Sequence, residues 1–519
     1  MATLSRRLPF PTLGSPRQIQ PFHLLLMSAL SLAAVVWGAI VISGRHGYEL
    51  EGFLVILGVF TIASIVFIFS RAETGPFRFF DLPVYLTILG LVCFGLAPLR
   101  SFMGSTQRLL DPSGETSSLV RGIVYFGLGM LAFWLGCSCT SRRRSASCEQ
   151  GAPITTSHCA PNGVKPSAWA LVLFVISVAG RVYLLQAGAY YYTGMRDALS
   201  PERLSLIQAF DVLGQLGLVA LIVISIEKFV HPLDQGLKLL FVIIFASECG
   251  WGLISGMKII LLQNFIVVAL VASMIQRRFR SSWVAAALLG LIVLYPLSNA
   301  YRGLIRGQGA IQVTSLSAAT GVTQMAFEKA TWATGGPRGW IQSGLDRGLA
   351  RLDLLQSLAT VVSLSATSAQ RLEGTEHLWM IPYYPFIPRF LWPTKPVLDK
   401  GRRFSVVLKS GGQTSTAITY PGDLYLQFGL PGILIGMFLL GVVAQIFANT
   451  VSGPTSTRGL FIYAAMFQTA TCLEADTFSY WSSLIKTLAI VVVLAWVIYG
   501  PAIKPTARRQ DRRRVGCLT

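Results

Sequence analysis

The chain has 519 residues, of which 53% are hydrophobic and only 13% charged. Soluble domains carry about 25% charged residues, so a soluble enzyme is excluded, and the apolar content excludes disordered and fibrous chains. The 43 Lys/Arg against 23 Asp/Glu give a net charge of +20, which points to nucleic acid, anionic lipid or a membrane orientation signal until the charges are placed.

The expected fold class is an all-α polytopic membrane protein. A span needs about 20 mostly apolar residues. Twelve runs qualify, near 24–43, 52–70, 82–99, 118–137, 168–187, 206–226, 237–254, 259–275, 282–299, 424–447, 459–474 and 482–500. The run 459–474 is the weakest, being short and ending in Glu474. Four regions follow from this pattern: a bundle of about nine spans over 1–299, a large loop over 300–423, three spans over 424–500 and a basic tail over 501–519.

The basic residues sort by loop. Arg6, Arg7 and Arg17 precede the first run; Arg71 and Arg78, then Arg142, Arg143 and Arg144, then Lys228 and Lys238, then Arg277, Arg278 and Arg280, then Arg458 occupy every second loop; Arg508, Arg509 and Arg512–Arg514 close the chain. This is the positive-inside pattern with both termini cytoplasmic. The loop over residues 300–422 lies on the opposite side and still carries thirteen Lys/Arg against six Asp/Glu. Orientation does not explain that excess, so the loop is where function is sought.

No HExxH, DxD or glycine-rich phosphate loop occurs, so no metal site and no cofactor are expected. Cys137, Cys139, Cys148 and Cys159 cluster with His158 but match no zinc spacing, and Cys93, Cys249 and Cys472 read as small apolar packers. Arg121, Arg181, Asp211, Glu248 and Lys258 fall in or beside apolar runs, where ionisable groups need partners. Arg181 is expected to pair with Asp211 or face an outer cavity, and Glu248 to pair with Lys258 across Cys249-Gly250-Trp251-Gly252.

The loop opens with Tyr301-Arg302 and reaches Arg306, an i, i+4 arginine pair if the preceding helix continues. Arg347 and Arg351 repeat the spacing, and Leu352, Leu355, Leu358 and Val362 form an amphipathic stripe suited to a membrane surface. Arginine forks also suit a pyrophosphate. The run from Pro382 to Pro396 holds five prolines in fifteen residues, and forbids a regular helix; it is expected to be extended and stiff. Its Tyr383, Tyr384, Phe386, Phe390 and Trp392 offer flat faces for sugars or an interfacial belt, with Arg389 and Lys395 among them.

The order of Ser255-Gly256-Met257-Lys258, Tyr301-Arg302, Arg351-Leu352-Asp353, the run Ile387-Pro388-Arg389-Phe390-Leu391-Trp392-Pro393-Thr394-Lys395-Pro396, and Pro421-Gly422-Asp423-Leu424-Tyr425-Leu426-Gln427-Phe428-Gly429 resembles the bacterial O-antigen polymerases (Wzy-type repeat-unit polymerases). The resemblance covers roughly 250–440. It implies a GT-C-like architecture in the bacterial cytoplasmic membrane. It also implies metal-independent glycosyl transfer between undecaprenyl-pyrophosphate-linked oligosaccharides at the outer face. A flippase and a chain-length regulator of the same pathway are the implied protein partners, besides membrane lipids, and nucleic acid is not one. Arg351, Arg389 and Asp423 are the implied catalytic residues; Arg302, Arg306, Arg347, Lys395, Lys258, Trp392 and Tyr425 are the implied substrate-binding ones. Fixed cations would stabilise the departing pyrophosphate. Asp423, Asp353, Glu373 and His377 are the candidate bases. The alternatives are an O-antigen ligase-like transferase, for which Arg351-Leu352-Asp353-Leu354-Leu355 fits a short RxxxL pattern, and a lipid-linked oligosaccharide flippase, which would place its cations inside the bundle.

Overall fold

The structure, a computed structural model, describes residues 49–73, 79–99, 115–140, 164–190, 201–276, 289–290, 296–305, 313–364, 366–370, 372, 376–387, 391–392, 394–408, 416–451 and 457–500. All regular structure among them is helical. Continuous apolar runs with no sheet partner must satisfy their backbone internally, and in lipid only helices do so within one segment. In chain order the helices are α1 (Glu49–Glu73), α2 (Leu82–Gly90), α3 (Glu115–Thr140), α4 (Pro166–Gln186), α5 (Pro201–Val230), α6 (Gln235–Ser255), α7 (Lys258–Gln276), α8 (Leu316–Thr334), α9 (Pro337–Leu352), α10 (Leu355–Ser363), α11 (Ala366–Gln370), α12 (Lys400–Val407), α13 (Tyr420–Val451), α14 (Thr457–Ala470) and α15 (Thr477–Tyr499). Residues 296–305 are also helical.

Eight of these helices, α1, α3, α4, α5, α6, α7, α13 and α15, are long and apolar enough to cross a membrane. The chain is an α-helical polytopic membrane protein. They coincide with eight of the twelve expected spans. The run 24–43 lies outside the described residues, as does most of 282–299. The run 82–99 is a short helix that loosens into a π segment at Leu91–Leu96. The run 459–474 stops at Ala470 after 14 residues. That is about 21 Å of helix, against a hydrocarbon core of about 30 Å.

Glycine sets the closest packing. A Cβ on Gly136 would stand 2.2 Å from the Phe438 carbonyl oxygen, and one on Gly441 would stand 2.1 Å from that of Phe133. α3 and α13 therefore meet backbone to backbone, as small residues allow in a bundle where lipid is as apolar as leucine. The free Cys137 is buried in this seam, its Sγ 3.3 Å from the Gly441 carbonyl oxygen. Around the seam, Phe94 stacks on Phe126 and Phe67 on Trp134.

The ends of the bundle are tied separately. At one end the Arg71 guanidinium bonds Gln445, Gln445 donates to Asn449, Asn449 donates to the Thr140 carbonyl, and Arg458 donates to the Gly500 carbonyl. The C-terminal ends of α1, α3, α13 and α15 and the start of α14 therefore meet. At the other end, α13 is broken. Gly429 takes φ 65° and ψ −155°, and Pro431 follows. A straight helix would separate residues 420 and 436 by about 24 Å. Instead the Tyr420 hydroxyl donates to the Gly436 carbonyl at 3.4 Å. The segment 420–428 thus folds back along the long arm of α13, with Leu424 against Gly432 and Gly436.

The amphipathic stripe expected on a membrane surface is buried instead. The chain breaks at Asp353 and Leu354, and Leu355 and Leu358 of α10 are fully buried, with Leu355 and Ala359 on Gly122 of α3. The π segment explains the break: the Cys93 carbonyl accepts the Leu354 N–H at 3.0 Å, a bond that a regular α2 would use internally.

Candidate functional site

The loop between α14 and α15 gathers the residues that matter. The Leu473 carbonyl accepts the Tyr420 N–H at 2.9 Å, and the Thr477 N–H donates to Asp423 Oδ2 at 2.9 Å. Glu474 forms an ion pair with Arg351, the last basic residue of α9. Asp476 caps α15 by accepting the Ser479 N–H at 2.8 Å. Irregular backbone within a bundle survives only where protein or a polar recess satisfies it, and here the folded-back 420–428 segment does so.

Asp423 has no exposed surface. Its Oδ1 accepts Lys400 Nζ at 2.9 Å, and its Oδ2 accepts Gln427 Nε2 at 2.8 Å besides the Thr477 N–H. Lys400 also lies 3.9 Å from Glu376, which pairs with Arg403, and Arg403 contacts Asp399 at 2.9 Å. These charges anchor Glu376 and the start of α12 to Asp423 of α13, beside the first residue of α15. Beside them Thr419 holds φ 68° at full burial. A β-branched residue in the left-handed region is strained; its Oγ1 accepts the Gly422 N–H at 3.2 Å, which holds the turn. The Arg351–Glu474 pair is different in kind, with side chains 53% and 41% exposed. It is accessible charge beside the buried network, as is Asp399 at 41%.

Burial raises the Asp476 carboxyl above the usual range, and the nearby Asp423 charge adds to it. Counted together, Asp353, Glu376, Asp399, Asp423, Glu474 and Asp476 outnumber Arg351, Lys400 and Arg403. Carboxylates suit hydrogen bonds from sugar hydroxyls and can take up a hydroxyl proton.

The expected site residues fall in separate places. Lys258 donates to Asn299 Oδ1 at 2.6 Å, and Arg302 packs beside Gly256. Lys395 donates to the Ile387 carbonyl at 2.8 Å and lies 4.2 Å from the Tyr384 ring centroid. Trp392 is half-buried against Tyr383 and Tyr384, at 5.9 and 6.2 Å. Tyr425 stacks on Tyr125 of α3 at 5.5 Å. Arg306, Arg389 and Glu373 lie outside the described residues, as do Cys148, Cys159 and His158, and Arg347 is placed only as backbone within α9. His377 is exposed.

Four expectations are corrected. Arg181 pairs with Glu248, not with Asp211: the fork is bidentate at 2.6 and 2.8 Å and buried. Gly217 makes the room, since a Cβ there would stand 2.1 Å from Glu248 Oε1. Asp211 is exposed, and Lys258 has taken Asn299 rather than Glu248. The proline-rich run is not extended over 378–387: a 3-10 turn at Leu378–Met380 leads into successive turns. Prolines 382 and 385 fit, because their fixed φ suits turns and neither site needs an N–H donor. Cys472 is exposed rather than packed.

Sequence reasoning passed over Glu376, Lys400 and Glu474 as site residues. Lys400 opens the basic string Lys400-Gly401-Arg402-Arg403, and Glu474 and Asp476 stand out as acids between two apolar runs. Those were the available signals.

No curated protein and no solved structure matches the chain. A family model matches residues 204–499, more than half of the chain, and takes in every residue of the network around Asp423. The chain belongs to the family described as Domain of unknown function (DUF8712).

Proposed function

We propose that the protein polymerises undecaprenyl-pyrophosphate-linked oligosaccharide repeat units at the outer face of a bacterial cytoplasmic membrane. In this reading the chain has about twelve spans, a GT-C-like architecture, cytoplasmic termini, and the segment 300–423 outside. The observation that carries it is the Arg351–Glu474 pair, half-exposed beside a buried network that fixes the loop carrying it. Arg351 also belongs to the segments that resemble the polymerases.

A hydroxyl of one repeat unit attacks the anomeric carbon of the growing chain. The new C–O bond forms as the anomeric bond to pyrophosphate breaks, and the pyrophosphate leaves with the bonding pair. Glu474 accepts the hydroxyl proton. Arg351, released from Glu474 by the substrate, meets the negative charge on the leaving oxygen, where fixed cations favour the transition state over the ground state. Arg389 supplies a second cation. Asp423 has three donors already and serves as a positioning residue that holds Lys400 and the folded-back segment.

The test is the glycan ladder of cells carrying Arg351→Ala, Arg389→Ala or Glu474→Gln at normal membrane levels. Loss of one such stabiliser costs about 10²–10³ in rate, so long chains disappear. Arg389→Lys fails too if bidentate geometry is used. Full-length polymer from both alanine variants overturns the reading.

A second reading has its own support. A broken helix at Gly429–Pro431 and an ion pair buried between α4 and α6 are features of transporters. A flippase would move lipid-linked oligosaccharide across proteoliposomes without lengthening it, and a ligase would attach finished polymer to a new acceptor.

A further inference from the structure

We infer that the α8–α9 hairpin is an interfacial anchor, with Trp332 seated among the headgroups and upper acyl chains of the bilayer. α8 presents a stripe of Ala319, Val322, Ala326 and Ala330, all buried. The first three join a cluster with Leu185, Trp251, Tyr301 and Ile305. Leu185 stands one residue from the end of α4, and Trp251 four from the end of α6. The stripe therefore docks α8 at the ends of two membrane-crossing helices, which is the level of the bilayer boundary. The far end of α9 is tied to the bundle by Leu352, which packs on the main core, and by the Arg351–Glu474 pair.

Between these ties the hairpin keeps large apolar side chains uncovered. Trp332 is 88% exposed, and Leu316, Met325, Phe327, Ile341 and Leu345 are exposed as well. Phe327 and Trp340 meet across the hairpin at 5.5 Å, so they hold the two helices together. The turn at Gly335 and Gly336, with φ 63° and 109°, puts Trp332 near the tip. An indole has an apolar body and one polar N–H, which suits the headgroup zone. The hairpin also carries Lys329, Arg338 and Arg347 against Glu328 and Asp346, with Arg351 held by Glu474. That positive balance favours anionic phospholipid. Crossing helices nearby expose the same kind of surface to lipid, such as Val175 and Ile176 of α4 and Val242 and Ile243 of α6, so the bilayer is the occupant that continues an existing contact.

The experiment uses the full chain in vesicles of phosphatidylethanolamine and phosphatidylglycerol whose acyl chains are brominated near the carbonyl, beside unbrominated controls. Wild type is compared with Trp332→Tyr, a change that an exposed position tolerates. The emission lost on substitution belongs to Trp332. The inference expects that emission to be blue-shifted, quenched in the brominated vesicles and insensitive to iodide. Red-edge emission that iodide quenches and bromolipid leaves alone overturns it, as does emission that neither quenches, which would mean that protein covers the tip.

Discussion

Arg351 and Asp423 both pair with an opposite charge, but burial gives the two pairs different consequences. Removing one partner of a buried pair strands the other, at a cost of about 3–5 kcal/mol. Asp423→Ala or Lys400→Met is therefore expected to lower the thermal midpoint in detergent strongly. Arg351→Ala removes a half-exposed pair worth about 0–1 kcal/mol, so its midpoint stays near wild type while long-chain glycan is lost. Equal destabilisation by both would refute the division of roles. Asp476 allows a pH test. Its carboxyl is raised in the folded state by burial and by Asp423, so the folded chain binds that proton more tightly than the unfolded one. The associated stability is present at acid pH and lost as pH rises through the raised value. Asp476→Asn keeps the cap on Ser479, since Asn caps as well as Asp. It is expected to match or exceed wild type at neutral pH, with that advantage shrinking as pH falls toward about 4. An advantage that grows on acidification would contradict this. The partner of Arg181 was illegible because hydropathy finds which helix holds a charge, but not which helix faces it. Asp423 was legible as a special carboxylate; Gln427 is its i, i+4 neighbour, but its other two donors, Lys400 and the Thr477 N–H, come from distant segments that no spacing announces.

Among the elements, α3 carries the clearest test of packing. Gly136→Leu forces a side chain into the Phe438 carbonyl, and overpacking costs about 1–3 kcal/mol or more. Gly127 is the internal control: nothing lies within 4 Å of a Cβ there, so Gly127→Ala is expected to be neutral or stabilising through helix propensity. Thermal midpoints of the two variants in detergent check both. The sequence pattern marked α3 and α13 as spans through their apolar runs. It did not mark the break in α13, because hydropathy sums smoothly across Gly429 and Pro431, and the fold-back needs the φ that only the glycine accepts readily. The aromatic segment was misjudged for a related reason. Proline excludes a helix, but extended chain and successive turns share its φ, and the cluster of Met380, Tyr384 and Phe478 selects the turns.

At the scale of the whole molecule, the +20 charge divides. Arg71 and Arg458 sit at the end where α1, α3, α13 and α15 finish, and the loop with Glu474 sits at the other. Arg71 and Arg458 on the one hand and the Arg351–Glu474 pair on the other thus occupy opposite ends of the bundle. The short α14 and the folded-back 420–428 segment bring the acid-rich centre below the rim of the long arm of α13. The most direct test of the polymerase reading is the lipid-linked glycan of cells lacking this protein. The account predicts single repeat units on undecaprenyl pyrophosphate at the outer face, with long chains restored by the wild-type gene and not by Arg351→Ala. Unattached full-length polymer, or repeat units trapped at the inner face, would contradict it.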